Sequence, residues 1–324
     1  MKIAFLTEMG FTGKIPVNHP NMRTEFAWMH ALDADHYNIA DSVAGYDAVI
    51  VIFPKGRVFL DACGSRLVRE ENPISKLLTH DFVGKLKLNN KKVFYMQEGP
   101  HWWFNDYELA DQINFYNMIA SCDGILAHNQ SDTNYYKGLF PGKQVDVMPT
   151  LMIDSIVEDI VPQTEEKVII GGNFARWYGG FESYLIAQEF GVPIWGQTSH
   201  AMRDGEEQLF NHLPRVLWTD WMKQLSSFKY AVHLMPTVAA GTFGLNCAYF
   251  GIPCIGNKQV DTQNICHPDL AVDVHDLEQA RLLAKKLIED KDFYTHCSKV
   301  AQDNYKKHYN KKLFTDNIKG ILQL

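Results

Sequence analysis

Short apolar runs alternate with longer amphipathic segments along the whole chain. In the first half, Lys2–Thr7, Tyr46–Phe53, Lys91–Gln97, Gly124–His128 and Val145–Met148 have the length and the Val, Ile, Phe and Tyr content of buried strands. Between them, Arg23–Leu32 and Tyr107–Ala120 place apolar residues at helical spacing. An acidic, irregular stretch from Ile153-Asp154-Ser155 to Pro162-Gln163-Thr164-Glu165-Glu166 then reads as a linker and hinge. A second series follows, with strands over Val168–Ile170, Pro193–Gly196 and Ala231–Met235. Its helices are Gly180–Phe190, Trp221–Phe228, Leu277–Leu287 and Phe293–Leu324. This βα alternation predicts an α/β protein of two Rossmann-like domains facing across a cleft, spanning 1–155 and 156–324. Functional loops then belong at the carboxyl ends of the strands.

The densest chemical signal is Gly241-Thr242-Phe243-Gly244-Leu245-Asn246-Cys247-Ala248-Tyr249-Phe250-Gly251-Ile252-Pro253-Cys254-Ile255-Gly256. It reads as glycine loop, short helix, tight turn and buried strand. Backbone N–H groups around Thr242, Phe243 and Gly244 suit a phosphate at a helix N-terminus, where peptide dipoles favour negative charge. A second glycine segment, Gly171-Gly172-Asn173-Phe174-Ala175-Arg176, follows Val168-Ile169-Ile170. Its glycines allow close approach of a ligand, and Arg176 offers a planar fork for diphosphate oxygens. Each segment taken alone is also what an ordinary strand–helix–strand corner looks like. The first strand is followed only by a loose glycine pair, Gly10 and Gly13, which argues against a nicotinamide site.

Composition narrows the class. The chain has 324 residues, 46% hydrophobic and 21% charged, the balance of a globular protein large enough for two cores. No apolar run approaches the roughly 20 residues that span a bilayer, and the N-terminus lacks a signal-peptide pattern, so a cytoplasmic location is expected. Six dispersed cysteines form no metal-binding spacing and are expected to be reduced thiols. A formal charge of −7 argues against a protein whose whole surface is a nucleic-acid footprint. Two local lysine clusters, Lys85/Lys87/Lys91/Lys92 and Lys306/Lys307/Lys311/Lys312, are read as solvated surface that leaves a basic face open. Asp33-Ala34-Asp35 matches a D-x-D metal motif but sits at a turn after a helix, so no metal site is expected there.

The glycine loop followed by G-x-P and a strand resembles the diphosphate-binding element of GT-B glycosyltransferases, with Gly241-Thr242 in place of their usual Glu-Gly. A fainter likeness is to the DNA β-glucosyltransferases of T-even bacteriophages. Gly171–Arg176 is similar to their G-G-S-F-R segment, Ile194-Trp195-Gly196-Gln197 to a strand ending F-F-G-N, and Val93-Phe94-Tyr95-Met96-Gln97-Glu98 to the strand before their catalytic aspartate. The resemblance implies a nucleotide-diphosphate sugar donor, UDP-sugar favoured, bound by Gly172, Asn173, Phe174, Arg176, Gly196, Gln197, Thr242, Phe243, Gly244 and Asn246. It implies no metal or other cofactor, and a last helix that crosses back to the first domain. Glu98 is then the expected base, with Glu25 or His101 as fallback, and inversion at the sugar the expected outcome. His101 is a base candidate in its own right, because histidine is half-deprotonated near neutral pH. Trp102 and Trp103 could stack on a sugar or base. The acceptor stays open among a hydroxymethylated base in double-stranded DNA, a saccharide or small metabolite, and, for a non-catalytic nucleotide-sugar-binding protein, none.

Overall fold

A computed structural model of the chain describes residues 1–53, 81–97, 99–104, 109–173, 178–197, 205 and 208–323. They form two compact units. One comprises Met1–Val17, Glu25–Pro149 and Phe314–Leu324, the other Asn18–Thr24 and Thr150–Leu313. Relative to the boundary at 155/156 that alternation alone suggests, Asn18–Thr24 and residues 150–155 fall in the second unit and Phe314–Leu324 in the first.

The first unit is built on a parallel sheet of β1 (Ile3–Thr7), β2 (Asp35–Asn38), β3 (Ala48–Ile52), β4 (Val93–Met96), β5 (Gly124–Ala127) and β6 (Gln144–Val147), in the order β2-β1-β3-β4-β5-β6. Every residue of β1, β3, β4 and β5 is buried, which is why these strands read as continuous apolar runs rather than alternating ones. Helices α1 (Glu25–Ala31), α2 (Phe82–Asn89), α3 (Leu109–Ser121) and α4 (Gln130–Leu139) complete the layers. Most of the core lies between the sheet and α2–α4, around Phe53, Tyr95, Phe115 and Tyr136.

The second unit holds β7 (Glu165–Asn173), β8 (Ile194–Gln197), β9 (Asn211–Leu213), β10 (Phe228–His233), β11 (Cys254–Asn257) and β12 (Ala271–Val272), ordered β12-β11-β10-β7-β8-β9 and again parallel. Its helices are α5 (Gly180–Gln188), α6 (Trp218–Leu225), α7 (Thr242–Phe250), α8 (Asp261–Cys266), α9 (Leu277–Glu289) and α10 (Lys291–His308).

The stretch Phe293–Leu324, expected as one helix, is two. α10 ends at His308 and α11 (Lys311–Leu322) starts after Asn310, whose side-chain oxygen accepts from Leu313 N at 2.9 Å as an N-cap. From Phe314 onward α11 packs in the first unit, where Thr315 Oγ1 donates to the Ala31 carbonyl at 3.1 Å. Glu165 and Glu166, read as linker, begin β7, and Gly171–Asn173, read as a loop, are its last residues, past a register shift against β8. The five described cysteines are free and buried; Cys63 lies outside the described residues.

Candidate functional site

In the second unit the glycine loop is held from behind. Gly241, the N-cap of α7, sits in the left-handed region at φ 75°, ψ 24°. Thr262 Oγ1 donates to its carbonyl at 2.8 Å. A Cβ at position 241 would lie 2.1 Å from that hydroxyl, so only glycine fits. One turn on, the Gly244 carbonyl accepts from His267 Nε2 at 3.0 Å, which fixes the proton on Nε2. These two bonds occupy carbonyl oxygens and leave the N–H groups of the first turn of α7 facing outward from the helix end, as in any helix. Gly251, also left-handed at φ 69°, closes the helix.

Burial pushes His267 down to about 4, against about 6.5 for a histidine in an unfolded chain. The unfolded chain then takes up a proton that the folded one refuses. Stability is full above pH 6.5, falls as the pH drops, and stops falling below about 4; at pH 5 the loss is on the order of 2 kcal/mol. Thermal melts between pH 7.5 and 5 should show this slope. His233 is held down in the same way and adds its own share of the slope, so His267→Gln, which keeps a donor for Gly244 but does not titrate, should make the slope shallower without abolishing it; an unchanged slope would rule His267 out as a source.

A cleft in the same unit is lined by Gly172 near the end of β7, Gln197 at the end of β8, Phe243 and Asn246 of α7, Arg215 and Val216 after β9, and Trp218 and Trp221 of α6. Arg23 completes it from the Asn18–Thr24 segment. That segment is tied to α6: Asn21 Oδ1 accepts from Trp218 N at 2.9 Å, and Thr219 N donates to the Pro20 carbonyl at 3.1 Å. Asn246 is 1% exposed, with its Oδ1 3.5 Å from Trp218 Nε1. Two arginines and no carboxylate stand among the described lining residues, although the chain as a whole is acidic.

Of the expected donor-binding residues, the structure gathers Gly172, Gln197, Phe243 and Asn246 around this one cleft. Thr242 and Gly244 form the adjoining helix turn, Thr242 Oγ1 standing 3.4 Å from Thr150 Oγ1. Gly196 is glycine for packing, since a Cβ there would meet the Phe210 ring at 2.7 Å. Asn173 ends β7, and Phe174 and Arg176 lie outside the described residues. Arg23, Arg215, Trp218 and Trp221 were not singled out for this site from the sequence.

The first unit carries a second constellation at the carboxyl ends of β4 and β5. Asp132, fully buried in the first turn of α4, accepts from Gln97 Nε2 at 2.9 Å and Asn129 Nδ2 at 2.8 Å on Oδ2, and from His101 Nδ1 at 2.7 Å on Oδ1. Asn129 caps α4, its Oδ1 accepting from Asp132 N at 2.8 Å. The carboxylate fixes the proton of His101 on Nδ1 and leaves Nε2 as the basic nitrogen. The ring stacks on Tyr135 at 4.1 Å, and the side chain is 28% exposed. Asp132 and Gln97 were not foreseen in this role, although Asn129-Gln130-Ser131-Asp132 carries the spacing of a helix cap.

Glu98 lies outside the described residues; Glu25 opens α1 and is part buried. The lysines of the first basic cluster are largely paired: Lys85 with Asp81 at 2.8 Å, Lys87 with Asp123 at 2.8 Å and Lys91 with Asp47 at 2.6 Å. Asp33 and Asp35 both pair with Lys14, at 3.0 and 3.2 Å, and no group of three potential metal-binding side chains occurs among the described residues. No described helix is long and apolar enough to cross a membrane.

No family model matches the chain, and no curated protein matches it in sequence. In three dimensions it is similar to an alpha-glucosyltransferase in complex with UDP and a 13-mer DNA containing an HMU base, with a TM-score of 0.65 and 11% identity over 100% of both chains. It is similar to sucrose-phosphate synthase from Thermosynechococcus elongatus, with a TM-score of 0.62 and 10% identity over 99% of this chain and 98% of that one. It is also similar to S. aureus TarM bound to UDP, with a TM-score of 0.60 and 11% identity; 85% of this chain is covered, and it spans 55% of TarM's length. The chain has the fold of these GT-B glycosyltransferases, two α/β units each built on a six-stranded parallel sheet.

Proposed function

We propose that the chain is a glycosyltransferase that moves a sugar from a nucleotide-diphosphate donor, a UDP-sugar, to an acceptor hydroxyl. The observation that carries this reading is the convergence of Gly172, Gln197, Phe243 and Asn246, from three separate elements, on a cleft that also holds Arg23 and Arg215. The guanidinium and amide groups of Arg23, Arg215, Gln197 and Asn246 and the N–H groups of the first turn of α7 are donors of the kind a departing diphosphate requires, a contribution worth about 3 kcal/mol per donor in well-studied enzymes. In the first unit, His101 Nε2 takes the acceptor proton, and Asp132 stabilises the imidazolium that forms. Calorimetry with UDP and UDP-glucose tests donor binding, and release of UDP during turnover tests transfer. A chain that binds neither nucleotide would refute the reading. A chain that binds UDP-glucose yet never releases UDP with any acceptor would be a binding protein instead.

For the acceptor we favour a hydroxymethylated base in DNA. The likeness to a DNA-bound alpha-glucosyltransferase, which runs the full length of both chains, supports it. Action in the cytoplasm, the host's for a phage enzyme, goes with that reading. The paired lysines Lys85, Lys87 and Lys91 and the charge of −7 favour a saccharide or small hydroxyl acceptor instead. Transfer of labelled glucose to a hydroxymethylpyrimidine duplex, but not to an unmodified duplex, is the expected result. Transfer to saccharides alone would select the second reading. The anomeric configuration of the product, read by NMR, tests the inversion expected from the sequence.

A further inference from the structure

His233 ends β10, the strand between β7 and β11. Its residue-level exposure is intermediate, yet its Nε2 is enclosed and has no hydrogen-bond partner among the described residues. An enclosed polar atom left unsatisfied is costly, so a native fold that keeps one calls for an explanation. Here the surroundings supply it. The double glycine of β7 makes room for this ring: a Cβ on Gly171 would fall 2.6 Å from His233 Cγ and 2.6 Å from Phe243 Cδ1, and a Cβ on Gly172 would fall 3.1 Å from Nε2 itself. The ring meets Phe243 edge-on at 5.1 Å. Gly172 and Phe243 both line the cleft that holds Arg23 and Arg215, and Phe243 is in the first turn of α7. The unsatisfied nitrogen thus stands behind a residue without a side chain, at the wall where a phosphoryl group would approach.

We propose that His233 is a donor-binding residue whose Nε2–H donates to a phosphoryl oxygen of the bound nucleoside diphosphate; this rests on the glycosyltransferase reading and deepens it. Burial holds the free imidazole down to about 4, so it is neutral near pH 7. A neutral imidazole can still present a proton on Nε2 without placing a charge in an empty site. When the bond between the anomeric carbon and the leaving oxygen breaks, its electron pair stays on that oxygen, and a donor already in place needs no reorganisation.

The test is calorimetry with UDP, GDP, ADP and uridine on wild type, His233→Phe and His233→Gln. Phenylalanine keeps the ring volume without nitrogen, and glutamine places an amide nitrogen near the Nε2 position. Against the diphosphate that wild type binds, His233→Phe should lose 10- to 100-fold in affinity, the range of a hydrogen bond to a charged group. His233→Gln should recover to within about threefold of wild type, and uridine should bind all three proteins equally. A folded His233→Phe that binds the diphosphate within twofold of wild type would overturn the assignment while leaving the glycosyltransferase reading intact. Wild type that binds none of the three diphosphates would instead overturn that reading. Should His233→Phe fail to fold, the wild-type imidazole decides: a change in its Nε2 ¹⁵N resonance on adding the diphosphate supports the contact, and an unchanged resonance overturns it.

Discussion

His101→Asn should lower kcat by 100-fold or more while leaving UDP affinity within about threefold of wild type. The asparagine amide nitrogen falls where His101 Nδ1 stands, so it can still donate to Asp132 Oδ1, the partner at 2.7 Å in the native protein. The buried carboxylate therefore keeps its third donor beside Gln97 and Asn129. What disappears is Nε2, the basic nitrogen, and general-base catalysis of this kind is worth roughly 10²–10⁴ in rate. Removing Asp132 would be less informative. A fully buried carboxylate, once lost, takes away the acceptor shared by His101, Gln97 and Asn129, and the cost of about 3–5 kcal/mol expected for a broken buried ionic cluster would unfold some of the protein. Glu98→Gln is the necessary companion variant, since Glu98 follows β4 by two residues and is the base implied by the family resemblance. A large fall in kcat for Glu98→Gln together with near-normal turnover for His101→Asn would move the proton-transfer role to Glu98.

Fold class was legible because its signal is repeated. Strands such as Ala48–Ile52 and Gly124–Ala127 are buried on both faces and so appear as uninterrupted apolar runs, and their recurrence between helical segments is what a covered parallel sheet produces. Short or polar elements left no such trace. β2 reads Asp35-His36-Tyr37-Asn38, and His36 is tolerated there because its two ring nitrogens are satisfied by Thr7 Oγ1 at 2.8 Å and the Phe11 carbonyl at 2.7 Å. β9 has three residues, too few for any periodicity. The break after His308 was hidden because Asn310 acts through a cap, a single-residue device inside an otherwise helical pattern. The site divided in the same way. Backbone-driven parts, the glycines at 172 and 241, show in the sequence because their left-handed backbone, at φ 69° and 75°, disfavours any residue with a Cβ. Side chains that matter through a distant partner, Asp132 to His101 across 31 positions or Thr262 to Gly241 across 21, have no local pattern to betray them.

Gly241→Ala should weaken UDP binding by roughly tenfold or more and destabilise the fold by about 2–4 kcal/mol. Two separate effects combine there. The backbone at φ 75° is unfavourable for any residue with a Cβ, by about 1–3 kcal/mol. The Cβ would also lie 2.1 Å from Thr262 Oγ1, so the hydroxyl must swing away and release the Gly241 carbonyl it holds. Both changes tilt the first turn of α7, whose N–H groups are the proposed phosphate donors, and a helix end bent away from its ligand loses binding as well as stability. The two effects separate in a double-mutant cycle. Thr262→Ala alone removes one hydrogen bond, about 1 kcal/mol, and should reduce UDP affinity only slightly. Gly241→Ala/Thr262→Ala should then be no less stable than Gly241→Ala, because the atom responsible for the clash is already gone and the remaining deficit is backbone strain. Chemical denaturation of the four proteins and calorimetry with UDP measure each corner. Additive losses in stability would show that Thr262 does not hold the loop. Gly241→Ala with wild-type UDP affinity would remove this helix end from the donor site.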